Sequence, residues 1–237
     1  MTEPRTLLKL SRRDDACKNA MAASSVRQLM LARDFLPPFC HAEQIMAMPA
    51  QRAPNRRWTE EEFYAARDAA PPGERWELVD GEGLVTPPPH WMHQRLIGRL
   101  FELVTPYVRL HAVGETFLSP LDVKLEPGLV LQPDLLAVPA GELKRRSDVV
   151  RHLLLAVEIV SPSSARHDRV RKRPYYQRNR VSEYWIVDEM SQTIERWTPD
   201  DERPALLAER LVWDPLGASE PFALDIVQFF KSVAAED

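Results

Sequence analysis

The sequence predicts an α/β fold, a mixed β-sheet flanked by helices. Three observations carry this prediction. Segments with helical spacing alternate along the chain with short apolar runs of strand length. One run, RHLLLAVEIVSP at 151–162, is almost continuously apolar, as a central strand covered on both faces requires. Two further segments, SEYWIVD (182–188) and TIERWTP (193–199), read as a hairpin turning around Met190-Ser191. The element order (helix, strand, helix, several strands, helix, strands) is that of a layered α/β domain.

Residues 1–48 differ from the rest. They hold five of the seven methionines, and their only periodic stretch is SVRQLMLARDFL at 25–36. The expectation is a poorly ordered or mis-annotated extension, with a native start at Met46 or Met48 and a single domain over 49–237. Order begins near Trp58. Thr59-Glu60-Glu61-Glu62 has the form of a capping box, so a helix should run to about Ala70, where Pro71-Pro72-Gly73 ends it. RWELVDGEGLV reads as a strand that turns at Asp80-Gly81. Leu96, Leu100, Leu103, Val104, Tyr107 and Val108 predict a helix over 91–112, kinked or ended at Pro106. SPLDVKLEP (119–127) and LVLQPDLLAVP (129–139) read as a hairpin. Ser161-Pro162 opens a helix as N-cap and first residue, and Pro174 should kink or split it. The tail gives one more strand and a short helix.

Composition narrows the function. Of 237 residues, 44% are hydrophobic and 28% charged, too apolar for wholesale disorder. No run approaches the roughly 18 apolar residues of a membrane span. The first 20 residues lack the apolar stretch of a signal peptide. Neither GxGxxG nor GxxxxGK[ST] occurs, so no glycine-rich phosphate loop is present. The two cysteines, Cys17 and Cys40, form no disulfide framework or zinc spacing, which points to a reducing cytoplasm. Net charge is −4, yet residues 166–180 carry seven Arg/Lys against one Asp. Such a stretch can focus a polyanion. The plainer alternative is a solvated helix face.

The most informative residue is Glu158, the only charge in LLLAVEIV. An unpaired ion in a buried strand costs several kcal/mol. Such a group is therefore protonated, salt-bridged or bound to a metal. Asp134 is likewise the only charge in LVLQPDLLAV, 24 residues earlier. Pro133 cannot donate to a ladder, which predicts an edge or a bulge that turns the Asp134 side chain towards a site. Two such carboxylates on consecutive strands can converge at one end of a sheet, where hard oxygen ligands suit Mg²⁺ or Mn²⁺. Lys172 lies 14 residues after Glu158 and four after Asp168. It forms either an i,i+4 surface pair with Asp168 or a cation that reaches back over the strand ends.

These pieces, in order, resemble a known family. Pro133-Asp134 followed by Glu158 resembles the core of the PD-(D/E)xK nucleases. WELVDGE (76–82), PHWMH (89–93), QPD (132–134), VEIVSPS (157–163), DRVRK (168–172), Tyr176 and VSEYWIVD (181–188) resemble the Uma2 (DUF820) restriction endonuclease family, from about Trp58 to the C-terminus. The resemblance implies a restriction-endonuclease-like core with an additional C-terminal β-hairpin. It implies Asp134 and Glu158 as the metal-binding pair, supported by Glu77. The usual lysine position holds Val160, so the resemblance makes Lys172 the catalytic lysine, displaced onto the following helix. His93 matches a family histidine and is read as structural, capping or orienting a neighbour, while Tyr184 and Trp185 pack rather than catalyse.

The function expected is metal-dependent hydrolysis of DNA phosphodiester bonds. Mg²⁺ or Mn²⁺ would be held by Asp134, Glu158 and Glu77, Lys172 would orient the nucleophile, and some of Arg166, Arg169, Arg171 and Arg173 would contact phosphates. A homodimer would serve to cut two strands. A competing reading is a nuclease-fold module that binds DNA without turnover. Another is an interaction protein in which Asp134 and Glu158 merely pair with buried arginines.

Overall fold

The computed structural model describes residues 51–52, 57–86, 88–142, 149–161 and 164–234. The expectation for residues 1–48 lies outside them. The elements are β1 (Gln51–Arg52), α1 (Glu60–Asp68), β2 (Arg75–Val79), β3 (Glu82–Thr86), α2 (Trp91–Leu110), β4 (Gly114–Leu118), β5 (Leu135–Pro139) and β6 (Leu155–Val160). A π-helical turn (His167–Lys172) and α3 (Arg173–Arg178) follow. The remainder is β7 (Glu183–Asp188), β8 (Thr193–Trp197), β9 (Ala205–Leu207), β10 (Arg210–Trp213), β11 (Phe222–Asp225) and α4 (Ile226–Ala234). None of the described helices is long and apolar enough to cross a membrane.

A six-stranded mixed sheet in the order β4-β5-β6-β7-β8-β9 forms the centre. Its one parallel pair is β6–β7. A parallel neighbour demands a crossover connection, and the π-turn with α3 supplies it. This crossover explains how a side chain far along the chain returns to β6. The odd residues Leu155, Val157 and Ile159 join one core with α2, α4 and the β10–β11 hairpin. The even residues Ala156 and Val160 join the other, with Tyr176, Tyr184 and Ile186. Glu158 shares that even parity.

A smaller sheet, β1-β3-β2, docks through a backbone exchange between Leu78 and Val130, with N···O distances of 2.8 and 3.0 Å. α1 begins with the expected capping box: Glu62 N donates to Thr59 Oγ1 and Thr59 N to the Glu62 carboxylate. Its Phe63 packs with Leu78 and Val130.

Several local expectations are corrected. β5 pairs with β4, not with 119–127, which makes only isolated bridges at Val123. Gly114 permits the β4–β5 pairing, because a Cβ there would lie 1.8 Å from the Val138 carbonyl oxygen. Residues 119–127 carry two prolines, which remove ladder donors. β5 is an interior strand, but it starts at Leu135, so Pro133 sits just before the ladder rather than within it. α2 continues through Pro106 to Leu110. Pro106 lies on the exposed side, where water can satisfy the carbonyl it frees. The helix before Pro174 changes from π to α at Lys172/Arg173, with Pro174 in the first turn of α3, where no donor is needed. Pro162 and Ser163 lie outside the described residues. The tail forms a two-stranded hairpin before α4, since Leu211, Trp213, Phe222 and Leu224 alternate towards one core.

Gly114→Ala should lower stability by about 1–3 kcal/mol or more through overpacking. Gly98→Ala, in α2 with nothing within 4 Å of its Cβ position, should instead be neutral or stabilise by up to about 1 kcal/mol. Thermal unfolding of both variants checks the pair. Equal melting temperatures would contradict the close-approach argument.

Candidate active site

Lys172 is the hub of the site. It shows 0% exposure, and its Nζ lies 2.8 Å from Glu77 Oε2, 2.9 Å from Glu158 Oε1 and 3.1 Å from Asp168 Oδ1. Each partner comes from a different element. Glu77 stands on β2, Glu158 on β6, and Asp168 one turn before the lysine. Glu77 Oε1 also accepts from the Gln132 backbone N–H at 2.8 Å, which ties β2 to the segment leading into β5. Tyr176 OH is 3.5 Å from Glu158 Oε1, and its ring lies 4.5 Å from that of Tyr184.

Asp134 sits beside this hub. The β5–β6 register pairs Leu135 with Val157, so one residue further on Asp134 stands opposite Glu158. Its carboxylate is held from three sides. Arg75 forms an ion pair with Oδ1, His93 Nε2 lies 3.0 Å from Oδ2, and the Ile159 N–H donates to Oδ2 at 2.8 Å. The structure therefore brings Glu77, Asp134, Glu158 and Lys172 into one buried site. His93, read from the sequence as capping or orienting a neighbour, meets the Asp134 carboxylate. Tyr184 and Trp185 are buried in the two cores.

Electrostatics separates the two carboxylates of the pair. Burial opposes ionisation of Asp134, but Arg75, His93 and the Ile159 amide hold it well below the usual carboxylate range. Burial pushes Glu158 well up; Lys172 opposes this, while Asp168 and Asp134 add to it. Glu77 is buried too, yet Lys172 and Arg75 keep its carboxyl low. Lys172 stays charged because Glu158, Glu77 and Asp168 outweigh its desolvation. Four carboxylates face two permanent cations, Arg75 and Lys172, so two negative charges lack a permanent counter-charge. A neutral Glu158, which its raised pKa favours, removes one of those two charges.

Residues 60–217 match the Uma2 family, described as "Putative restriction endonuclease". The match takes in well over half of the chain. The chain belongs to the Uma2 family. It is accordingly of the restriction-endonuclease-like nuclease class. A crystal structure of "a putative nuclease belonging to DUF820" from Anabaena variabilis has the same fold, with a TM-score of 0.62 at 20% identity over 74% of this chain and 98% of the other. No curated protein matches the chain.

Some residues of this Uma2 site escaped sequence reasoning. Arg75 is the counter-ion of Asp134. The signal was its spacing of two from Glu77, which puts both on one face of a strand. Asp168 belongs to a buried network rather than an i,i+4 surface pair, and Asp168, Lys172 and Tyr176 recur at intervals of four. The basic stretch is largely committed within the molecule. Arg169 pairs with Asp188 and Glu195, Arg171 pairs with Glu82 and Asp80, and Arg173 lies 4.6 Å over the Trp197 ring. Arg166, at the start of the π-turn, is exposed.

Removing the hub should be costly. Lys172→Met leaves three buried carboxylates without their shared counter-charge and should destabilise by about 3–5 kcal/mol. Adding Glu158→Gln should recover part of this, read by denaturant unfolding of the single and double variants. His167, near Lys172, is half-buried and its imidazole is pushed down to about 4 by burial, then by Lys172. It is thus neutral in the fold between pH 4 and its ordinary value near 6.5, where the unfolded chain binds the proton. This contribution is complete above about pH 6.5 and lost as pH falls to 4. His167→Gln should flatten the pH dependence of stability across that window. An unchanged slope would contradict the assignment.

Proposed function

We propose that this protein is a metal-dependent DNA endonuclease. The observation that carries the reading is the convergence of Asp134, Glu158, Glu77 and Lys172 from two strands, the segment leading into β5 and the crossover. Hard oxygen donors in excess of the cations around them suit a divalent ion such as Mg²⁺ or Mn²⁺. Among the described residues no three His, Cys, Asp or Glu groups form a ready-made cage. That pattern fits an ion held by one or two carboxylates, with water and phosphate oxygens as its other ligands.

Asp134 and Glu158 would hold the ion. When bound, it would lower the pKa of a water and stabilise charge on the phosphate. Arg75 and His93 fix the Asp134 carboxylate in its ionised form. Glu77, Glu158 and Asp168 fix the Lys172 ammonium, which would act as a positive charge offsetting the negative charge that grows on phosphorus oxygens. In hydrolysis the water oxygen forms the new P–O bond, the ester P–O bond breaks, and a proton passes to the departing alkoxide. Of Arg166, Arg169, Arg171 and Arg173, Arg166 is the exposed one and the one suited to a flanking phosphate.

A second reading is a nuclease-fold DNA-binding module. It rests on one observation, the complete burial of Lys172 among three carboxylates. Calorimetric titration of Mn²⁺ into wild type, Asp134→Asn and Glu158→Gln, with plasmid cleavage by the same proteins, separates the two. The nuclease reading expects saturable binding in wild type, at least tenfold weaker in either variant, and cleavage lost with it. Salt-dependent DNA binding with no cleavage in Mg²⁺ or Mn²⁺ would leave the module.

A further inference from the structure

The two permanent cations of the site are held very differently. Lys172 has three carboxylate partners, and its side chain is 1% exposed. Arg75 has one ion pair among the described residues, to Asp134 Oδ1, and its side chain is 19% exposed. Its Nε is buried and meets no partner among the described residues. Arg75 is the first residue of β2, directly after the exposed stretch 71–74. Its guanidinium thus lies at the border between the buried site and solvent, tethered at one end. The two oxygens of Asp134 differ as well. Oδ2 accepts from the Ile159 N–H at 2.8 Å and lies 3.0 Å from His93 Nε2. A carboxylate oxygen offers about two acceptor positions, so Oδ2 is full. Oδ1 is the oxygen left for an incoming ion, and Arg75 occupies it. A divalent ion and a guanidinium on one oxygen repel each other, the more so where water is scarce.

We infer that Arg75 is a placeholder cation, which holds Asp134 Oδ1 until the ion binds there and then turns outwards to a phosphate oxygen of the nucleic acid. This rests on the nuclease reading and deepens it by naming a substrate-binding residue. The exchange leaves no charge uncompensated. The ion replaces the guanidinium at Asp134, and the guanidinium passes from one anion to another. Lys172 cannot play this part, because its departure would strip three buried carboxylates of their shared counter-charge.

The test has two arms, both on the full chain. In the first, Mn²⁺ is titrated calorimetrically into wild type and Arg75→Gln. The variant should bind about tenfold more tightly, since no guanidinium competes. Equal or weaker binding would overturn the inference and make Arg75 a fixed support of Asp134, with the nuclease reading intact. The second arm uses EDTA and decides the matter where Arg75→Gln does not fold. Asp134→Asn releases Arg75 from its ion pair, as the ion would, and the double variant Asp134→Asn/Arg75→Gln leaves no buried charge unpaired. Fluorescence anisotropy follows a labelled DNA duplex across a KCl series. The slope of log K against log[salt] should be about one unit steeper for Asp134→Asn than for the double variant. That slope counts phosphate contacts, which a purely structural arginine would not change. Equal slopes, or no DNA bound by Asp134→Asn, would overturn the inference. Wild type that binds no Mn²⁺ would remove the nuclease reading, and this inference with it.

Discussion

The structure turns on one buried ammonium. Lys172 holds three carboxylates that no single element could bring together, and none could remain ionised alone in a core. Glu77 arrives on the small sheet, Glu158 on the central strand, and Asp168 on the crossover. The ammonium therefore ties the small sheet, the main sheet and the crossover at one point. The parallel β6–β7 pair makes this feasible, because its connection must pass back over the sheet face that Glu158 shares. The π-turn is where the lysine meets that face. π-turns are rare and concentrate at functional sites, which agrees with its place here.

Asp134 illustrates a second constraint. Its carboxylate oxygens are nearly spoken for by Arg75, His93 and the Ile159 N–H. That cradle keeps it charged in a setting where burial alone would protonate it. Glu158, directly across the β5–β6 register, has no comparable set of donors. Its ammonium is shared, and its other charged neighbours include two carboxylates. Two acids one strand apart thus differ in character, one held ionised by its surroundings and one pushed by them towards the neutral form.

Much of this was legible from the residue order. Glu158 and Asp134 announced themselves as lone charges in apolar runs, and a strand buried on both faces leaves few explanations for such a charge. The capping box at Thr59 and the β7–β8 hairpin followed from local chemistry that the tertiary fold did not override. The partner of β5 was not legible. GETFL is short, and the licence for its pairing is the missing side chain of Gly114 against a carbonyl 24 residues later, a long-range fact that no window contains. Pro106 misled for a related reason: its cost depends on which side of the helix faces water. The charge of the basic stretch was counted correctly, but its neutralisation by Asp80, Glu82, Asp188 and Glu195 depends on contacts formed only by folding.

That last point bears on how a polyanion could be held. With Arg169 and Arg171 engaged in ion pairs and Arg173 over an indole, the basic stretch offers much less free charge than its composition implies. Counterion release, the usual source of affinity for nucleic acid, scales with the phosphates that protein cations neutralise. A protein that spends its arginines on its own carboxylates must draw affinity from elsewhere. Under the proposed function one such source is the excess of carboxylates over cations around Glu158, which a divalent ion and its phosphate ligands would relieve. Position 160 shares its face with Glu158, and the valine there packs the core while the crossover delivers the cation instead. The strand stays apolar enough to be central, and the charge arrives with its own partner, Asp168, already beside it.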